Sequence, residues 1–246
     1  MTAAIVFAGP SVPPRVKARF GDVTFREPAR QGDVYLALRD RPKVIGIIDG
    51  YFDAVPSVWH KEVLWAMSNG VHVLGASSIG ALRAAELDSF GMEGVGAVYE
   101  AYARGRIEDD DEVAVTHGPA ELGFRPLTLA MVSIRATLDT VAPECLQRSK
   151  SLWLVREAAK ALDYRERTLP RVVDNALARG GHREDVEVIA AHLGEGLVDV
   201  KAADAERLLT TLRSRADDFA EPKAVRYEFS DTQAWRTFVA WADDRP

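Results

Sequence analysis

Val71-His72-Val73-Leu74-Gly75-Ala76-Ser77-Ser78-Ile79-Gly80-Ala81-Leu82-Arg83-Ala84-Ala85-Glu86-Leu87 runs from a short apolar stretch, through two serines set among small residues, into a helical pattern. A serine at a sharp strand-to-helix turn is where a nucleophile is presented. Ala76-Ser77-Ser78-Ile79-Gly80 reads as small-x-Ser-x-Gly, the nucleophile-elbow spacing with alanine for the first glycine, so the spacing selects Ser78. Ser77 would instead have Ile79 two residues on. The amides of Ile79 and Gly80 open the following helix and can face a developing oxyanion. The competing reading is that one of the serines only caps that helix.

A serine hydroxyl needs a base. Upstream, Ser57-Val58-Trp59-His60-Lys61-Glu62-Val63-Leu64-Trp65-Ala66-Met67 is an apolar helical pattern interrupted by three ionisable residues. Ser57 suits the N-cap and Asn69-Gly70 the stop, which predicts a helix over 58–68. Trp59, Val63, Ala66 and Met67 share one face, and Lys61 lies off it between Leu64 and Trp65. Those neighbours can desolvate an ammonium, as a lysine base requires; the alternative is a surface lysine lying over Trp65.

Working outward, Ala4–Ala8, Val23–Phe25, Val44–Ile48 and Val71–Leu74 read as strands alternating with helices at Val34–Arg39, 58–68 and Ile79–Leu87. Continuous apolar runs at 44–48 and 71–75 suit central strands of a parallel sheet covered on both faces. Loops at the carboxyl ends of such strands form the site, which brings Gly9-Pro10-Ser11, Asp49-Gly50 and Ser77-Ser78 together. Asp49 is expected to orient Lys61, hold a loop amide or simply make a turn. The fold class is therefore α/β, an N-terminal, mostly parallel sheet with flanking helices, followed by a largely helical C-terminal region. The division is placed at 1–118 and 119–246, the latter with helices over 126–138, 149–162, 169–179, 183–192 and 202–219. Tyr227, Phe229, Trp235, Phe238 and Trp241 make the tail aromatic; packing on the body is preferred over a partner patch.

The chain resembles the TfuA-like proteins, which accompany YcaO enzymes in backbone thioamidation of peptides. The resemblance runs in order through Gly9-Pro10-Ser11, Arg30-Gln31-Gly32-Asp33-Val34-Tyr35, Ile45-Gly46-Ile47-Ile48-Asp49-Gly50-Tyr51-Phe52, Val58-Trp59-His60-Lys61-Glu62, Gly75 to Glu86, Phe90 to Gly96 and Asp110 to Val115. It implies a hydrolase-like Ser-Lys pair, Ser78 and Lys61 here, with His60 and Glu62 as supporting residues. The family usually has Met where this chain has Ile79, which leaves the backbone amide in place. The implied substrate is a small ubiquitin-like sulfur carrier of the ThiS type ending in a glycine thiocarboxylate. The partners are a YcaO enzyme, which activates the amide with ATP, that carrier and the peptide substrate. Lys61 would take the serine proton, turn amides would hold the oxyanion, sulfide would leave and water would clear the acyl group. No cofactor or metal is required. The anionic thiocarboxylate needs a positive or amide-rich seat, for which Arg83 and Arg30 are candidates alongside Gly9, Ser11, Asp49, Gly50, Ser77, Ile79 and Gly80. A noncatalytic adaptor docking carrier and peptide on YcaO, and a generic serine hydrolase, are the alternative functions.

At 246 residues, 47 % hydrophobic and net charge -6, the chain has material for a large core and no electrostatic footprint for nucleic acid. No apolar stretch approaches a membrane span, the start lacks a basic leader, and the single cysteine, Cys145, precludes an intrachain disulfide, which together point to the cytoplasm. There is no Walker lysine or G-x-G-x-x-G. Glu108-Asp109-Asp110-Asp111-Glu112 is expected to pair with Arg104 and Arg106 or meet a partner rather than hold a metal. His117 offers a minority Ser-Asp-His triad with Ser78.

Overall fold

The computed structural model describes residues 4–51, 53, 55–143 and 146–245; Phe52 and Cys145 lie outside them. Five parallel strands, β1 (Ala4–Phe7), β2 (Val23–Arg26), β3 (Val44–Ile47), β4 (His72–Ala76) and β5 (Glu93–Val95), form one sheet in the order β2-β1-β3-β4-β5. Around the sheet run α1 (Pro14–Lys17), α2 (Asp33–Ala37), α3 (His60–Ser68), α4 (Ile79–Leu87) and α5 (Ala97–Ala103). The strand order reverses between β1 and β3, the point at which open parallel sheets bind ligands beyond their carboxyl ends.

Alternation along the strands assigns the two faces. Ile5, Phe7, Ile45, Ile47 and Val73 pack with Val34, Val63, Met67, Ile79 and Leu87 of α2, α3 and α4. Val6, Val44, Leu74 and Ala76 pack on the other side with Leu208, Leu209 and Leu212 of α10 (Val200–Ser214), and with Phe219. Both faces are covered, which is why β1 and β3 read as unbroken apolar runs.

Two compact units result: Met1–Ile107 with Ala202–Pro246, and Glu108–Lys201. The sequence division at 118/119 follows the loss of strand signal, whereas the units follow packing, and the chain returns to the sheet through α10. In the second unit α6 (Met131–Leu138), α7 (Leu146–Lys160), α8 (Leu169–Ala178) and α9 (Arg183–Glu195) bury Met131, Ile134, Val155, Val172, Val186 and Ile189. In the first, α11 (Gln233–Asp243) seats Trp235 and Phe238 among Tyr35, Trp59, Trp65 and Phe229, the packing expected of the aromatic tail, while Trp241 stays about half exposed.

Three details depart from expectation. β5 is not among the strands read from the sequence; a Cβ at its central Gly94 would lie 2.0 Å from the Tyr99 ring, so a side chain there would have to displace that ring. Ser57 does not cap α3, which starts at His60; the Glu62 carboxylate accepts the Trp59 amide at 2.8 Å instead, and the Ser57 hydroxyl is buried without a hydrogen-bond partner among the described residues. The acidic run pairs with bases far along the chain. Lys160 Nζ sits amid Asp109 (2.9 Å), Asp111 and Glu112 (3.2 Å), Arg167 binds Asp111, and Arg135 grips Glu112 with two bonds of 2.9 Å. An ammonium thus occupies the centre of the cluster. Arg104 pairs with Glu100 at 3.3 Å.

Candidate functional site

The loops that leave the sheet's carboxyl edge are stitched to one another. Asp49, just past β3, accepts the amides of Gly9 (2.8 Å) and Ser11 (3.0 Å) on Oδ2 and the Ser11 hydroxyl (2.7 Å) on Oδ1. Of the roles considered for Asp49, it takes the loop-holding one. Its carboxylate fills the seat those amides would otherwise offer an anion. Ala29 N donates to Asp49 O and Tyr51 N to Ala29 O, both at 2.9 Å, tying in the loop after β2. Gly50 abuts Ile79: a Cβ at residue 50 would lie 2.5 Å from the Ile79 side chain. The Gly80 amide reaches Ile48 O at 3.4 Å, so it is directed at the strand end and not at an open oxyanion position. Ile79, the first residue of α4, has an amide with no intrahelical acceptor.

Between β4 and α4 the backbone turns through Ser77. Its φ is +69°, in the left-handed region, and the Ser78 amide donates to Ala76 O across it at 2.8 Å, a γ-turn hydrogen bond. For a residue with a Cβ this conformation costs about 1–2 kcal/mol. Two glycines make the turn possible. A Cβ at Gly75 would meet Gly80 O at 2.0 Å, and one at Gly80 would meet Ile47 O at 1.8 Å, so helix and strands approach at backbone distance. Neither serine caps α4. Ser78 occupies the N-cap position without a side-chain capping bond, and the Ser77 hydroxyl is buried with no partner among the described residues. Ser77 is 0 % and Ser78 8 % exposed.

The basic residues are arranged differently from the sequence expectation. Lys61 Nζ donates to Thr232 Oγ1 at 2.8 Å and lies 5.3 Å from the Phe229 ring centre, so its partners come from the C-terminal segment. A cavity of about 550 Å³ lined by Trp65, Phe229 and Trp235 opens on this same side. Arg83 Nε donates to Val58 O (3.0 Å) and its guanidinium to Glu86 (2.6 Å), which His60 also contacts at 2.8 Å. Burial raises the Glu86 pKa, but the hydrogen bonds from His60 and Arg83 outweigh it and hold the group below its ordinary range. Arg83 is thereby neutralised locally. Arg30 leans on Asp33 at 3.7 Å and remains more than half exposed, the freer of the two for a docking anion. His117 belongs to the second unit, where its Nδ1 lies 2.8 Å from Gly118 O.

Glu62, placed beside Lys61 as a supporting residue, is a buried hub. It accepts amides of Trp59, Gly32 (3.0 Å), Val34 (3.1 Å) and Tyr35 (3.2 Å), joining the start of α3 to the start of α2. Burial pushes its carboxyl up to about 7 against those amides. Lys17, which no motif singles out, places its ammonium 3.3 Å from Ala8 O at the end of β1; burial lowers its pKa while Asp49 and Glu27 pull it back. Its position at the strand edge follows from the fold, which motif spacing does not reveal.

Fold and site together define a doubly wound parallel α/β protein with a serine-bearing, backbone-strained turn at the carboxyl edge of its sheet. Residues 49–168 match the sequence model of the TfuA-like protein family, a span that takes in Asp49, Lys61, Ser77, Ser78 and Arg83. No curated protein sequence matches the chain.

Proposed function

We propose that this protein hydrolyses a thiocarboxylated ubiquitin-like carrier of the ThiS type and delivers the sulfide to a YcaO enzyme for peptide backbone thioamidation. The match of residues 49–168 to the TfuA-like family is consistent with a YcaO-associated role. The observation that carries the hydrolytic reading is the turn itself: two adjacent serine hydroxyls at the sheet's carboxyl edge, neither spent on capping, beside the first amide of α4, which has no intrahelical acceptor. A serine of this turn attacks the terminal carbonyl, Ile79 N receives the oxyanion, and Lys61 takes the proton. Motif spacing assigns the attack to Ser78. Lys61 donates to Thr232, and on this reading exchanges that hydroxyl for the serine as the carrier enters, since catalytic hydrogen bonds often tighten only in the complex. Arg30 is the cation best exposed to meet the anionic carrier terminus.

Sulfide diffuses away quickly, so release is useful only beside the YcaO site, where tethering raises its local concentration. The helical unit Glu108–Lys201, whose acidic run is satisfied by its own bases, is the docking element. Supplying excess inorganic sulfide to a hydrolysis-dead variant separates the two roles. Rescue of thioamidation should be stronger with the dead protein present than with it omitted; equal rescue eliminates the docking role.

A further inference from the structure

The backbone geometry points to Ser77, not Ser78, as the residue that presents the attacking hydroxyl. This rests on the hydrolytic reading above and refines it by one residue. A nucleophile elbow is a backbone conformation before it is a spacing: the nucleophile sits at the strained apex, and small residues flank it so that helix and strand can approach. Among the described residues Ser77 alone of the turn has that positive φ; Ser78 has φ −119°. The glycine demanded two residues before the apex is Gly75, where a Cβ would collide with Gly80 O, and counting from it the nucleophile falls on Ser77. Ile79 stands where the pattern has its second small residue. The close approach on that side is relieved one position later by Gly80.

The hydroxyl gives an independent reason. Buried side-chain oxygens are nearly always hydrogen-bonded, yet Ser77 Oγ has no partner among the described residues. Alanine would be free of that desolvation penalty, so the oxygen is retained at a cost to stability, in a conformation that is itself strained. Ser78 shows neither feature, and its backbone is engaged on both sides: its amide binds Ala76 O and its carbonyl accepts Ala81 and Leu82. In the reaction, Ser77 Oγ adds to the thiocarboxylate carbon while its proton passes to Lys61. Collapse breaks the C–S bond, and the proton leaves with sulfur as hydrosulfide. Water then cleaves the Ser77 ester, restoring the hydroxyl and releasing the carrier carboxylate. Ser77 is fully buried, so the turn must open as the narrow glycine terminus of the carrier docks before its hydroxyl can attack.

Sulfide release from a thiocarboxylated ThiS-type carrier tests this in the purified full-length protein. Ser77→Ala should lower the rate by at least about 100-fold, and Ser78→Ala by no more than about fivefold. Thermal unfolding guards against misfolding: Ser77→Ala should unfold no earlier than the natural protein, since it removes an unsatisfied polar group. Ser77→Cys supplies a second readout, a thioester to the carrier's terminal glycine that peptide mass spectrometry maps to position 77. Loss of activity in Ser78→Ala with retention in Ser77→Ala, or an adduct at 78 in Ser78→Cys and none at 77, overturns the inference and leaves the hydrolytic reading standing. Absence of sulfide release from the natural protein overturns both.

Discussion

Ser77 holds a positive φ at the turn into α4, and Lys61 on α3 rests its ammonium on Thr232. Motif spacing locates the turn and both hydroxyls, but the residue that takes the positive φ depends on how closely Gly75 and Gly80 bring α4 to the sheet, which pattern alone leaves open. For Lys61, helical projection places it off the core stripe, as found; its contact with Thr232 spans 171 residues and has no sequence signature. If Lys61 is the base, Lys61→Arg, which keeps the charge but cannot give it up, should be as inactive as Lys61→Ala in sulfide release; an active arginine variant would make the residue an electrostatic anchor. Glu62 yields a pH prediction. Its carboxyl is raised from 4.5 to about 7, so the folded protein binds this proton more readily than the unfolded chain. The resulting stabilisation is full below pH 4.5 and is lost as pH rises through 7, on the order of 3 kcal/mol. Denaturant unfolding at pH 5 and pH 8 should show this fall in the natural protein and its absence in Glu62→Gln; parallel pH profiles would contradict it.

At the scale of elements, legibility follows local chemistry. α4 occupies residues 79–87 as read, because small residues precede it and its apolar period is clean. α3 starts two residues later than its apolar pattern, because the Glu62 carboxylate and not Ser57 organises its first turn. β5 escapes notice because three residues with a central glycine show no alternation, and its partner β4 is what makes it a strand. α11 is fixed by Thr232, whose hydroxyl accepts the Trp235 amide at 3.3 Å and also holds Lys61. Thr232→Ala should therefore cost about 1 kcal/mol of stability, measured by denaturant unfolding, through loss of the cap. Gly80→Ala should be worse, about 3 kcal/mol, because the new Cβ would meet Ile47 O at 1.8 Å and α4 must move off the sheet. A Gly80→Ala protein of unchanged stability would refute the close packing that creates the turn.

At the scale of the whole molecule, the class of fold is legible from alternating apolar runs and helical periods, and the parallel sheet with a helical remainder follows from them. The return of α10 to the sheet is not, since a buried helix carries no label for the face it covers. Leu208 and Leu212 lie on Val6, Gly46 and Leu74, and a chain truncated at residue 118 would expose that face. Such a chain should fail to unfold cooperatively, whereas cooperative unfolding would show that 1–118 stands alone. The proposed chemistry lies at one turn, and sulfide release from a thiocarboxylated ThiS-type carrier by the purified protein without YcaO measures it. Many turnovers per protein molecule are expected, abolished in the Ser77→Ala, Ser78→Ala double variant; no release by the natural protein, or undiminished release by the double variant, would rule out a serine of this turn as the nucleophile.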